Sequence, residues 1–558
     1  MLHTKFVLSP RATLREAQGG MTLLCTHPLQ IARLNAGAAA LLQLVAQGGL
    51  AADLLQPEQR AYLEAMQADG PLRAEYTLTP PAEPIALEVI VPAYLSFDPT
   101  APGSPTARLD ACLAALATQS HPPECFRVTV VDDASPHPLA RAVSTPPALE
   151  GRLRWLRLER NGGPGAARNH GVQTPWPDGH AAPLLAFVDA DAEPGPHWLA
   201  HLAAMLEGGQ FAAVAAATLP LQTRGLHKTT QQTGGLHTTT LQTRGLLGAY
   251  EGAASSLYLG PAPAPVGVRH GPPYLPSVNM GVMRAAFLAV GGFRPGWRVG
   301  EDVDLCWRIQ AAGGALFYHP GLSGPSSGVR HAHRTALWPF LRRKFDYATS
   351  EAPLARTHPA RTPRALPRLT GLWLLLVLAT LLASGAWARS TLATLAALAA
   401  LADLLAPVHA VRHLGLQSLR GMVPPSTLML GLARGVAGRV LQTGRVLTRR
   451  GLPLLGGLAL LPPLLALAAQ GSRGILAGPF AQTAGAWGLS AWACAMLIVG
   501  TAGEWMARGR ELPLWRFAPG YLLESLAYSP GWAWGWGRVW LRKGNGEHAA
   551  ESRQPPPG

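Results

Sequence analysis

Between residues 87 and 188, apolar runs of strand length alternate with helical stretches, and no other feature of the chain restricts its fold as tightly. The runs cover 87–91, 127–131, 153–158 and 184–188, with helical patterns over 107–117 and 165–172. Such alternation predicts a mainly parallel α/β sheet covered by helices. Ligands of these sheets bind beyond the carboxyl ends of the strands. The residues that follow each apolar run are therefore the first candidates for chemistry.

The second run ends in Asp132 and Asp133. A carboxylate there can accept hydrogen bonds from a nucleotide base or ribose, and a solvated turn can carry the same pair. In ERNGGPGAARNHG (159–171) the glycines allow a tight turn and a close backbone approach, while Arg168 offers a guanidinium suited to a diphosphate. The GK[ST] of a phosphate-binding P-loop is missing. The fourth run, LLAFVDADAEP, stops abruptly at Asp189 and Asp191. Two carboxylates so spaced can hold a hard divalent ion, Mg2+ or Mn2+, which neutralises charge on a departing nucleoside diphosphate. Downstream, Glu301, Asp302 and Asp304 open a helical pattern. A carboxylate here can act as general base toward an acceptor hydroxyl, although acids also favour helix N-termini for electrostatic reasons alone. In VRHAHR, either His331 or His333 can complete a metal shell.

Taken in order over 87–333, the motifs VIVPAY, VVDDAS, NGGPGAARNHG, FVDADAEP and GEDVDLCWRI resemble the family 2 glycosyltransferases of the GT-A nucleotide-sugar-binding, Rossmann-like fold. The resemblance implies a nucleotide-sugar donor, with Asp133 at the base or ribose and Pro92, Arg168, Asp189 and Asp304 in the substrate site. It implies a divalent cation at Asp189 and Asp191, with His333 taken as the third ligand, and Asp302 as catalytic base with Glu301 beside it. Direct displacement with inversion follows for such enzymes. No QxxRW follows the acidic cluster, which disfavours a processive polysaccharide synthase.

The segments LSPRATLREAQGG, RRKFDYATSEAPLARTHP and PGYLLESLAYSPGWAWG extend the similarity to the glycosyltransferases of mycofactocin systems. This implies a small N-terminal peptide-chaperone-like module, UDP-glucose as donor and a peptide-derived redox-cofactor precursor as acceptor. Other cofactor-maturation enzymes are then expected partners. A lipid or polysaccharide acceptor of the cell envelope is the alternative.

Prolines in TPPAEP (79–84) mark a linker, so the expected division is a module over 1–78 and a GT-A domain over 85–350. Within the latter, 221–250 holds three decapeptide copies, LQTRGLHKTT, QQTGGLHTTT and LQTRGLLGAY, expected to form an inserted mobile surface loop. His227 and His237 belong to that repeat rather than to a metal site.

Overall, 48% of residues are hydrophobic and 14% charged, with apolar residues concentrated after Leu369. Stretches at 369–388, 391–411, 452–469 and 484–503 approach the length a bilayer demands. Arginines cluster before the first and between the second and third, which predicts an even number of transmembrane helices over 369–503, a cytosolic catalytic domain and a multi-pass plasma-membrane protein in contact with the lipid bilayer. The tail over 504–558 reads as a tryptophan-rich segment at headgroup level, or else as a buried aromatic cluster. These arginines also account for much of the net charge of +15, so nucleic acid is not an expected partner. Five scattered cysteines signal neither a disulfide framework nor a zinc site, and no cleavable secretory signal is visible at the N-terminus.

Overall fold

Aliphatic runs such as LEVIV and LLAFV have no polar face to offer water, so they fit strands covered on both sides. In the computed structural model they form the middle of an eight-stranded mixed sheet. Its order is Ala264–Pro265, Leu316–Tyr318, Ala213–Ala215, Asn279–Met283, Leu184–Val188, Leu87–Ala93, Phe126–Asp132, Leu153–Arg157. The last four strands run parallel, and Asn279–Met283 is antiparallel to both of its neighbours. Helices Ala107–Ala117 and Pro164–Gln173 supply crossovers where the helical patterns predicted them. A second, three-stranded sheet pairs Ala192–Pro194, Val329–His331 and Thr218–Pro220. The α/β architecture expected of a GT-A domain is thus present.

Described residues are 2–17, 20–26, 29–79, 81, 83–96, 106–221, 229–233, 236–240, 245–267, 271–321, 324–362, 391, 394–395, 398, 425–471, 484–509 and 512–544. They fall into two compact units, Met1–Ser9 with Ala40–Thr335, and Pro10–Ala39 with Ala336–Gly558. The first 78 residues, expected as one module, are therefore divided. Strands Leu2–Leu8 and Leu72–Leu78 pair in full register, and Leu2 and Leu78 join the core beneath the large sheet. Tyr76 sets its ring edge against Phe317, 4.8 Å between centroids. Strands Ala12–Ala17, Gly20–Thr26 and Leu29–Arg33 form an antiparallel meander in the other unit.

The 221–250 repeat is read from its sequence as an inserted mobile surface loop. Its described part is a two-stranded hairpin, Thr229–Thr233 against Leu236–Thr240, and Leu246–Ala254 is helical. Threonine suits a strand by its branching at Cβ, so TTQQT and LHTTT carry their own β preference.

The membrane reading is overturned. Among the described residues no helix is long and apolar enough to cross a membrane. Stretch 369–388 and nearly all of 391–411 lie outside the described residues. The other two lie on helices Pro425–Gly471 and Ala484–Glu504, which meet closely at small residues. A Cβ on Gly444 would meet the Gly500 nitrogen at 2.7 Å, so the backbones touch there. Ser490 Oγ donates to Ala459 O at 2.6 Å, and Thr448 Oγ1 to Met496 O at 3.2 Å. Charges line the same unit: Arg445 and Arg508 reach the buried Glu504 at 2.6 and 2.7 Å, and Lys344 and Arg449 reach the buried Glu524 at 3.3 and 3.4 Å. The tail is helix Leu514–Gly544, and it buries Phe517, Tyr521, Ser525 and Tyr528 along one side at helical spacing. On the same helix Trp515, Trp534, Trp536 and Trp540 stay exposed.

Candidate active site

Asp189 stands where the buried strand Leu184–Val188 leaves the sheet, and Asp191 follows at the start of the small sheet. There Ala192 is the register partner of His331, which brings that imidazole beside Asp191, Nε2 to Oδ1 3.3 Å. One ligand atom from each of Asp189, Asp191 and His331 lies within 4.8 Å of the others. Two carboxylate oxygens and an imidazole nitrogen suit Mg2+ or Mn2+, so the residues present fit such an ion. Burial would raise the Asp191 carboxyl, but the His331 bond and the charges of His331, Arg334 and Arg108 outweigh it and hold it at about 2. The anion needed for a cation ligand is thereby kept.

His333 does not join this cluster, contrary to the expectation. Its Nδ1 lies 3.8 Å from Glu251 Oε2, and its ring meets that of His331 edge-on with centroids 5.5 Å apart. Glu251 was missed in the sequence. Its signal was a single acid inside the otherwise apolar helix LLGAYEGAA. The arrangement predicts that His331→Ala weakens Mn2+ binding by at least tenfold, while His333→Ala leaves it within about threefold. Calorimetric titration of Mn2+ in the presence of UDP measures both.

Arg168 also has a different place from the one expected. Only 1% exposed, it donates through Nη2 to Asp189 Oδ1 at 2.5 Å and through Nη1 to Glu301 Oε1 at 3.5 Å, over the ring of Phe293. A guanidinium so enclosed between two carboxylates is an anchor joining them, not a free hand for a diphosphate. Asp304 is likewise withdrawn from any substrate: it is fully buried and held by Arg308 and Arg294. Such pairing compensates a charge that burial would otherwise leave costly.

Asp133 accepts from the Gly162 and Gly163 amides at 2.7 and 2.8 Å, so it shapes the glycine loop itself. Burial raises its carboxyl, and these two bonds pull in the opposite direction. Gly163 has φ +86, a conformation that needs glycine, and caps the helix bearing Arg168. The neighbouring Asp132 accepts from Ser135 and Leu139 amides and pairs with Arg157, a structural task. Ala134, which follows Asp133, adopts φ 59, a strained value for a residue with a Cβ. Pro92 sits half-buried on Leu87–Ala93, in register with Val131.

Gly300, with φ 77, turns the chain into helix Glu301–Ala311. Asp302 accepts there from the Val303 amide at 2.9 Å and the Ser277 amide at 3.3 Å. Burial first, and then the charge of Glu301, push its carboxyl up to about 7. A carboxylate poised at that value can both take and return a proton near neutrality.

Residues 88–256 match the family described as Glycosyl transferase family 2. The Pre-mycofactocin glycosyltransferase of Mycobacterium tuberculosis (strain ATCC 25618 / H37Rv) is 33% identical over 237 residues, 42% of this chain and 44% of that protein. The Succinoglycan biosynthesis protein ExoU of Rhizobium meliloti (strain 1021) is 32% identical over 210 residues, 37% of this chain and 54% of that protein. The chain thus spans about half the length of the curated relatives it matches. Among solved structures, the mannosyltransferase PcManGT from Pyrobaculum calidifontis, in complex with GDP-Man and Mn2+, is 20% identical, covers 68% of this chain and 93% of its own, and has a TM-score of 0.34. Residues 88–256 are thus a family 2 glycosyltransferase domain, related over part of its length to the pre-mycofactocin glycosyltransferase.

Proposed function

We propose that the chain transfers a hexose from UDP-glucose, with inversion, onto a mycofactocin-type, peptide-derived redox-cofactor precursor. The observation that carries this reading is the guanidinium of Arg168, 2.5 Å from Asp189 and 3.5 Å from Glu301. One buried anchor thereby ties the candidate cation ligands to the helix that bears the candidate base. Asp189, Asp191 and His331 would hold the divalent ion, which when bound neutralises charge on the leaving diphosphate. Asp302 takes the proton of the acceptor hydroxyl as its oxygen attacks the anomeric carbon and the bond to the diphosphate breaks. Arg168 fixes the separation of these groups, and Asp133 holds the glycine loop in shape behind them.

The choice of acceptor draws on the likeness to the pre-mycofactocin enzyme. Purified protein, labelled UDP-glucose and that precursor should yield a hexosylated product and UDP in stoichiometric amounts by mass spectrometry. Chelation with EDTA should stop the reaction, and Mn2+ or Mg2+ should restore it. Absence of product with this acceptor, alongside transfer to an oligosaccharide, would favour a saccharide acceptor instead. That second reading rests on the 32% identity to the succinoglycan biosynthesis protein.

A further inference from the structure

A cavity of about 290 Å³ lies in the catalytic unit apart from the acidic cluster, lined by Leu78, Pro81, Ala200, His121, His197 and His201 among others. The volume is at the lower end of the range of small-molecule sites, which are mostly apolar with a few placed polar groups. His121 and His201 are buried, while His197 is exposed.

Hydrogen bonding fixes what the two buried rings can do. His121 Nε2 lies 2.9 Å from Ile85 O, and His201 Nε2 lies 3.3 Å from His319 O. A carbonyl oxygen only accepts, so each Nε2 carries the hydrogen and each Nδ1 is left as a lone-pair acceptor in the neutral ring. Burial keeps both rings neutral by lowering their affinity for a proton, in His201 to about 3. The wall is mostly apolar, with the imidazoles and the Ser120 and Ser327 hydroxyls as its polar groups and no lysine, arginine, aspartate or glutamate among the lining residues. An anion finds no lysine or arginine there, and an ether or hydrocarbon leaves the two buried imidazole acceptors without a donor. A neutral molecule bearing one hydroxyl meets both demands.

We propose that this cavity is a second binding site, which takes a small uncharged phenol or alcohol through the acceptor nitrogens of His121 and His201. It stands independently of the transfer reaction proposed above. The probe is phenol, with anisole, the methyl ether of the same ring, as the control that cannot donate. Calorimetry on the full chain should show saturable phenol binding and at least tenfold weaker anisole binding. In ¹⁵N-histidine spectra of the same protein, phenol should move the Nδ1 signals of His121 and His201. Ala200→Leu, which narrows the cavity, should weaken phenol at least tenfold while its melting temperature and UDP-glucose affinity stay at the parent values. Equal affinity for phenol and anisole, no saturable binding, or unmoved histidine signals on the unsubstituted protein would each overturn the proposal, whether or not the variant folds.

Discussion

Asp302→Asn is expected to lower the rate of hexose transfer by about 10² to 10⁴-fold while nucleotide-sugar affinity changes little, because an amide keeps the shape of the side chain but cannot take a proton. The oxygen that remains can still accept the Val303 amide, so the helix start is preserved. Glu301 is no substitute base, since it is buried and turned to Arg168. The carboxyl of Asp302 sits at about 7 through burial and the adjacent charge of Glu301. Only its ionised form accepts the hydroxyl proton, so kcat should rise with pH through about 7 and level off above it. In the asparagine variant this limb should vanish, leaving a low rate without that inflection. Steady-state rates from about pH 5 to about pH 9, set beside UDP-glucose affinity from calorimetry, decide the matter. Full activity in the variant, or a parent rate indifferent to pH, would remove Asp302 from the proton transfer.

The parts of this site that follow from strand ends were legible in the sequence. Leu184–Val188 was found to the residue, and with it the position of Asp189. Burial and register were not legible. Whether His331 or His333 meets the aspartates depends on which residue of one strand faces Ala192 of another, and alternation along VRHAHR is symmetrical in that respect. Arg168 follows a glycine loop, as a diphosphate ligand would, yet partners 21 and 133 positions away enclose it. The C-terminal apolar runs misled for a related reason: hydropathy counts side chains but not what covers them. Here Glu504 and Glu524 lie buried with cationic partners, which a count of apolar residues does not anticipate. The hairpin in the repeat was hidden by composition, since threonine, glutamine and glycine together read as low complexity while TTQQT and LHTTT pair as strands.

Glu88→Ala should be the most damaging single change to the stability of the catalytic unit, by about 3–5 kcal/mol in urea unfolding. The carboxylate is 4% exposed and ties several elements together. It accepts from Thr129 Oγ1 at 2.9 Å, Trp176 Nε1 at 2.9 Å, Arg154 Nη2 at 3.0 Å and Arg284 Nη2 at 2.5 Å. Thr129 and Arg154 belong to successive strands of the parallel half, and Arg284 opens the helix after Asn279–Met283. Burial already pulls the Arg154 guanidinium below its ordinary value, and the charge of Glu88 acts in the opposite direction. Alanine would leave two enclosed cations uncompensated and two donors unmet. Glu88→Gln keeps an acceptor oxygen but loses the charge, and should cost about 1.5–3 kcal/mol. The triple change of Glu88, Arg154 and Arg284 to methionine separates the causes. If uncompensated charge dominates, the triple variant should be more stable than Glu88→Ala, since apolar side chains then fill the space. Should it be less stable, the network contributes attraction beyond its desolvation cost, and Glu88 acts as a positive clamp on the sheet.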